Sequence, residues 1–277
     1  MAAPVLLPST PYYRIWGKAE TEPWHRNPNK ETIGEVWFSA SDSVPLLVKL
    51  LFTSANLSVQ VHPADDYAAA KHNSRGKTEM WHILRAEPDA RIAFGLREAV
   101  TPQHLRAAAV SGEIVDLLHW IPVRPGETYF IPAGTIHAIG GGLTICEVQQ
   151  LSDVTYRLFD YHRLEKDGQP RPLHLDDSVA VSRLTPGGAA QQPQPLGEGR
   201  ELLVECPYFR TERVVVTGQA AIPARSHNML CVALEGTGKI GGLPFAAGQA
   251  WEVAAGEGVE IESPSAVFLI TSEPEGR

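Results

Sequence analysis

Short runs of apolar and β-branched residues, each closed off by proline or glycine, restrict this chain more than any other feature. Leu46–Thr53, Leu57–Val61, Glu127–Ile131, Leu143–Gln149, Val154–Asp160, Arg210–Val216 and Ala266–Ile270 are such runs. With 22 prolines and 24 glycines spread along the chain, the pattern predicts antiparallel strands in a sandwich or barrel. Helix is scarce. The best candidate opens at Thr101-Pro102, an N-cap followed by proline at the first helical position. Leu105, Ala108 and Ala109 follow at helical spacing, and Gly112 ends the run. Shorter helices are predicted over Glu113–His119 and Ala64–Lys71.

A chain of 277 residues has room for one large domain or two modest ones. Residues 186–200 read PGGAAQQPQPLGEGR, with no periodicity, as in a linker or long surface loop. They divide a first unit, 1–185, from a second β-rich block, 201–277. No strong repeat relates the halves, although both read as small β-barrels, the second without a metal pattern.

Composition narrows the partners. Asp and Glu outnumber Lys and Arg by 32 to 24, a net charge of -8. A diffuse acidic surface argues against nucleic acid and anionic membranes, both of which reward basic patches. A locally cationic pocket for an anionic small molecule stays open. No apolar stretch is long enough to span a membrane, and Val5 to Leu7 is too short for a secretion signal. The three cysteines, Cys146, Cys206 and Cys231, are widely spaced and read as reduced thiols. The cytoplasm is the expected location.

Three segments carry chemistry. In Leu57–His62, strand alternation puts Leu57, Val59 and Val61 on one face and Ser58, Gln60 and His62 on the other. On this stretch alone, an edge facing water is the simpler reading. Gly76–His82 as a strand would place Lys77, Glu79 and Trp81 together, and a solvated Lys–Glu pair is again the plainer reading. The third segment, Gly126 to His137, is sharper, with the form G-x5-P-x-G-x2-H. Gly126 turns the chain into a strand, Pro132 and Gly134 shape the way out, and His137 opens the next strand.

That third segment resembles the second motif of the cupin superfamily, whose metal sites use two histidines, a carboxylate and one more ligand. The usual first motif, with an H-x-H pair, is altered here: Gln60 stands for the first histidine, and sixteen residues separate His62 from Glu79. The departure is similar to the type I mannose-6-phosphate isomerase family. The resemblance rests on Ser58–Pro63, Asp65–Ala68, Gly76–Trp81, Pro132–Ile139, Glu147–Gln150 and Ser152–Tyr161, with Ile15-Trp16-Gly17 and Ile33–Trp37 nearer the start. It is good from about residue 14 to 163. Beyond 200 only the architecture is shared. Lys18, Val36 and Leu151 depart from the common pattern.

The resemblance implies a mainly β protein of two tandem cupin-type jelly-roll barrels. A short helical segment near 100–120 would replace the larger insertion of longer relatives. It implies one zinc ion per chain held by Gln60, His62, Glu79 and His137. It also implies a hexose 6-phosphate substrate, and a monomer or small homo-oligomer. Arg157 falls at the position regarded as catalytic, and Lys77 and Ser58 at positions associated with phosphate or reaction-centre contacts. The implied reaction interconverts mannose 6-phosphate and fructose 6-phosphate through an enediol(ate). Glu79 being the one anionic ligand, the ion would keep about one net positive charge and its Lewis acidity. Lys77, Glu147 or a zinc-bound water could carry the proton, Glu147 could also contact substrate, and His72 could assist ring opening. Two other readings remain. His62, Glu79 and His137 alone also suit a non-haem Fe(II) oxygenase, and the barrel could be a non-catalytic sugar-phosphate-binding cupin.

Overall fold

The computed structural model describes residues 3–165 and 168–276. Two antiparallel sheets face each other in the first unit. One has six strands, in the order Ser9–Lys18, Ile33–Phe38, Leu46–Thr53, Leu143–Gln150, Glu79–Ala86 and Thr128–Ile131. The other has five: Tyr156–Phe159, Val59–Val61, His137–Ile139, Arg91–Leu96 and Leu118–Pro122. Trp81, Ile83, Tyr129 and Ile145 of the first meet Ile92, Phe94 and Ile139 of the second in one core between the sheets. This is the jelly-roll barrel that the family resemblance implies.

Both outer faces are covered as well, which explains strands apolar on both sides. Leu46–Thr53, LLVKLLFT, is buried throughout. Leu46, Val48, Leu50 and Phe52 point away from the barrel and pack with Leu203, Val204, Phe209, Leu230, Val232 and Leu269 of the second unit. Behind the five-stranded sheet, Val59, Val61 and Ala138 pack on Leu105, Ala108 and Ala109 of the helix Pro102–Ser111. That helix has the predicted ends: the Thr101 side chain accepts from the His104 N–H at 3.1 Å, and Gly112 closes it with φ of 90°.

The second unit is one eight-stranded antiparallel sheet that includes Arg210–Ile222, Met229–Ile240 and Val259–Ser272. Val214, Met229, Ile240, Trp251, Ile261 and Phe268 from different strands share a core, so the sheet curls around its own apolar face. Two pieces from outside 201–277 join it. Val5–Leu6 pairs with Ala250–Val253, and Gln194–Gly197 pairs with Arg200–Glu205. Residues 186–200 are pinned to the first unit too, through Gly187 N–H to Leu96 C=O at 2.9 Å and Gln191 N–H to Thr128 C=O at 2.8 Å.

Several boundaries differ from expectation: the strands expected from Leu57 and Val154 begin at Val59 and Tyr156, and the one expected over Ala266–Ile270 runs from Val259 to Ser272. The predicted strand from Gly76 begins only at Glu79. Gly76 lies so close to Ala64 and Asp65 that a Cβ would sit 2.6 Å from their backbone atoms, and the chain arches there. The second short helix covers only Ile114–Leu117 before the strand Leu118–Pro122 begins. A helix at Leu175–Val181 was not predicted. It is brief, and its apolar residues show no long helical period.

The contact between the units is testable. Phe209 is fully buried there and meets Phe130 edge-on at 6.3 Å between ring centroids. Phe209→Ala is expected to cost about 3–5 kcal/mol, read as a lower urea midpoint. A loss below about 1 kcal/mol would mean this face contributes little to stability.

Candidate metal centre and substrate cavity

Strand alternation delivers one polar set to the interior of the first barrel. Val36, Val48, Leu50, Cys146 and Val148 point outward. Their neighbours Glu35, Trp37, Lys49 and Glu147 line an inner cavity of about 290 Å³. The register fixes the facing pairs: Glu147 lies opposite Lys49 and Trp81, and Gln60 lies opposite both His137 and Arg157. Ser58 and Lys77 line the same cavity with Gln60 and Arg157.

The water-facing readings of the two weaker segments are overturned. Val59 and Val61 are fully buried on one face, and on the other Ser58 and His62 are only 3% and 2% exposed. Lys77 and Glu79 are 5% and 1% exposed. A barrel with a polar interior has the same alternation as a wet edge, so local pattern cannot separate them.

Among the described residues, His62, Glu79 and His137 bring their ligand atoms within 4.8 Å of one another. Their orientation is specific. His62 Nδ1 lies 2.9 Å from the Val154 carbonyl oxygen, and His137 Nδ1 lies 2.9 Å from that of Thr135. Each Nδ1–H therefore donates to a carbonyl, leaving a lone pair on Nε2. These Nε2 atoms lie 3.6 Å and 3.5 Å from opposite oxygens of Glu79. Gln60 Nε2 is 3.2 Å from His137 Nε2, and Ser58 Oγ donates to Gln60 Oε1 at 3.4 Å. The motif glycine also has a task. Gly134, at φ of 84°, donates its N–H to the His62 carbonyl at 2.8 Å, where a Cβ would meet Val181 O at 2.9 Å.

Charge surrounds this group. The Lys77 ammonium pairs with Glu79 and lies 3.0 Å from His62 Nε2 and 3.7 Å from Glu147 Oε1. Lys49 lies 3.5 Å from Glu147 Oε1 and stacks over the Trp37 ring at 4.2 Å. Burial opposes the Lys77 charge, but Glu147 and Glu79 outweigh it and hold Lys77 above its ordinary range. Burial opposes the Glu147 charge too, yet Lys77 and Lys49 keep that carboxyl below its ordinary value. Burial, then Glu147, pushes Glu79 up to about 7. Burial lowers His137 to about 4 and His62 well below its usual value, so both rings are neutral.

Arg157 borders two cavities. With Arg14, Trp16 and Arg171 it lines both the inner cavity and an outer one of about 730 Å³. Its Nη1 donates to the Pro172 carbonyl at 2.9 Å. Arg171 is gripped by Asp160 at 2.6 and 2.7 Å. His72 is not part of this site. It lies on the helix Asp65–His72, 2.7 Å from the Tyr156 hydroxyl, and Tyr156 belongs to the core behind the sheet. Sequence reasoning passed over Lys49, Arg14, Glu35 and Arg171. For Lys49 a signal existed, one charge in an otherwise apolar strand.

The two facing sheets, the curled second sheet and the buried His–Glu–His group together define a two-barrel cupin-type protein whose first barrel holds a side-chain group able to take a metal ion. No protein-family model matches the chain. It is 38% identical over 204 residues to the mannose-6-phosphate isomerase ManA of Bacillus subtilis, covering 72% of this chain and 64%, just under two thirds, of that protein. It is 36% identical to the probable mannose-6-phosphate isomerase GmuF of the same organism, over 76% of this chain and 70% of that one. With the mannose-6-phosphate isomerase of Streptococcus mutans it shares 32% identity over 87% of each chain. The chain belongs to the mannose-6-phosphate isomerase family. The crystal structure of the Bacillus subtilis mannose 6-phosphate isomerase superposes with a TM-score of 0.87 at 26% identity, covering 98% of this chain and 99% of that one. A zinc-bound mannose 6-phosphate isomerase shares the fold at 14% identity and a TM-score of 0.76, over 98% and 100% of the two chains.

Proposed function

We propose that this protein is a zinc-dependent aldose–ketose isomerase interconverting mannose 6-phosphate and fructose 6-phosphate through an enediol(ate). It would act in the cytoplasm as a monomer or small homo-oligomer with one zinc ion per chain. The observation that carries the reading is the convergence of His62, Glu79 and His137 beside Gln60 and Lys77, which line a cavity together with Arg157.

The residues suit the metal. Zinc bonds of about 2.0–2.1 Å in a tetrahedron put neighbouring donors about 3.3 Å apart, close to the 3.5 and 3.6 Å found between the histidine and glutamate atoms. Among the described residues Glu79 Oε1 is buried with no hydrogen-bond partner, a costly arrangement that a cation would relieve. With its amide turned so that Oε1 takes the place of Nε2 beside His137, Gln60 would be the fourth donor. Bound there, zinc would supply Lewis acidity that lowers the energy of negative charge developing on the sugar oxygens as a proton moves between adjacent carbons.

The chain's own groups do the rest. Arg157 offers a planar fork to the phosphate or another anionic oxygen of the substrate, and Ser58 and Lys77 offer donors deeper in. The cations Arg14 and Arg171 beside Arg157 draw the anionic sugar toward an otherwise acidic protein. Lys77, as its ammonium, would stabilise negative charge developing on the sugar or donate a proton to it. Glu147, held ionised and fixed by Trp81 Nε1 at 3.1 Å, is placed to contact the sugar and accept one.

The direct test is interconversion of the two sugar phosphates before and after chelation, with zinc added back. Turnover abolished by chelation and restored by zinc is expected. Sugar phosphate binding without turnover would instead point to a binding cupin, and oxygen uptake with iron to an oxygenase.

Zinc uptake should also be linked to protons. Glu79 must be ionised to bind, and below about pH 7 it holds a proton, whereas His137 becomes charged only near 4. Competition against a chromogenic chelator is expected to show constant affinity above about pH 7 and a fall approaching about tenfold per unit below it. A flat profile down to about pH 6 would remove Glu79 as the titrating ligand.

A further inference from the structure

Arg157 lies on the terminal strand of its sheet, with Gln60 opposite on the paired side. Its open side is taken by a segment that is not a strand. His174 N–H donates to the Arg157 carbonyl at 2.8 Å. The Arg157 N–H donates in turn to His174 Nδ1 at 3.1 Å. Two residues back, the Pro172 carbonyl accepts from Arg157 Nη1 at 2.9 Å. One short segment therefore holds both backbone polar groups and the guanidinium of a single residue.

We propose that His174 is a positioning residue whose Nδ1 acceptor fixes the backbone of Arg157 and so sets the direction in which its guanidinium enters the cavity. The inference rests on Arg157 holding the anionic oxygens of the substrate.

The surroundings keep His174 in the required form. To accept at Nδ1 the ring must be neutral, with its proton on Nε2. Burial lowers the His174 pKa, and the charges of Arg157 and His72 lower it further against the pull of Asp177. The Tyr156 ring packs at 6.1 Å from the His174 ring. The segment cannot drift freely, because His174 leads directly into the helix Leu175–Val181. Asp177 of that helix accepts from Tyr67 Oη at 2.7 Å and pairs with Lys71 on the helix Asp65–His72. An anchored helix, a ring acceptor and an edge strand thus form a continuous support for one arginine, of the sort a productive binding geometry needs.

A packing role and a positioning role make opposite forecasts for two substitutions. His174→Leu keeps bulk and removes the acceptor. His174→Asn is smaller, but its Oδ1 can stand where Nδ1 stood. Positioning predicts that His174→Leu binds mannose 6-phosphate about tenfold more weakly by calorimetry, with KM rising in step, while His174→Asn stays within about threefold of the parent. In an Arg157→Lys background, where the fork is already gone, His174→Leu is expected to cost less than about threefold. The proposal is overturned if His174→Leu binds as well as or better than His174→Asn, or if its loss is undiminished in the Arg157→Lys background. Turnover by the parent protein separates the two readings. Binding in the expected order without any turnover would sink the isomerase assignment and leave the positioning intact. A parent protein that neither binds nor turns over the sugar phosphate overturns both.

Discussion

His137→Ala is expected to empty the metal centre and lower turnover by more than about a thousandfold, while leaving the fold in place. His137 is completely buried, opens its strand and is held by a hydrogen bond from Nδ1, so its Nε2 has a single direction. Alanine cannot replace that donor, and no other histidine in the described residues stands beside Glu79 and His62. The check is zinc content by atomic emission, turnover at saturating zinc and near-UV circular dichroism on the same sample. Retained zinc with near-parental turnover would remove His137 from the ligand set. His72→Ala is the matched comparison. Because His72 sits behind the sheet, its loss is expected to change turnover by less than about threefold, and a larger fall would bring back a role in ring opening.

Lys77→Ala should have the next largest effect, on two quantities at once. Lys77 is the cation between Glu79 and Glu147, all three nearly inaccessible. Removing it leaves two buried carboxylates with only Lys49 to offset them, so the metal-free protein is expected to lose about 3–5 kcal/mol of stability. Zinc should return part of that by supplying charge at the same place. Turnover at saturating zinc is expected to fall by about a hundredfold to ten-thousandfold, the range of a group that moves a proton or stabilises developing charge. The readouts are urea midpoints with and without zinc, and kcat. Near-normal kcat would take Lys77 out of the chemistry and leave Glu147 as the side chain to test.

How far the site could be read in advance depends on how local each residue's task is. His137 was legible because Gly126, Pro132 and Gly134 build the turn that aims it, all within one short segment. Gln60, His62, Lys77 and Glu79 were legible through the family resemblance and not through alternation, since the polar face of a strand looks the same against water and against a polar cavity. Lys49 was missed because its partner Glu147 is brought opposite it by register alone. A lone lysine in an apolar strand says that a partner exists, not where. Arg171 depends on Asp160 across an irregular loop, which carries no periodic signal. The helix Pro102–Ser111 was legible at both ends because its caps are chemical. Leu175–Val181 has no side-chain cap to announce it.

The pairing of Val5–Leu6 with Ala250–Val253 has a consequence for how the protein is made. Leu6 lies opposite Trp251, so about 245 residues must be synthesised between one half of this ladder and the other, a separation that slows its formation. Until then the leading segment has no partner, and the sheet of the second unit lacks its edge. On the ribosome the first barrel can assemble early, but the clasp that ties Val5–Leu6 to the second unit closes only after Ala250–Val253 has emerged. A ribosome that stalls before residue 250 leaves Val5–Leu6 without the strand it pairs with, and the second sheet open on that side.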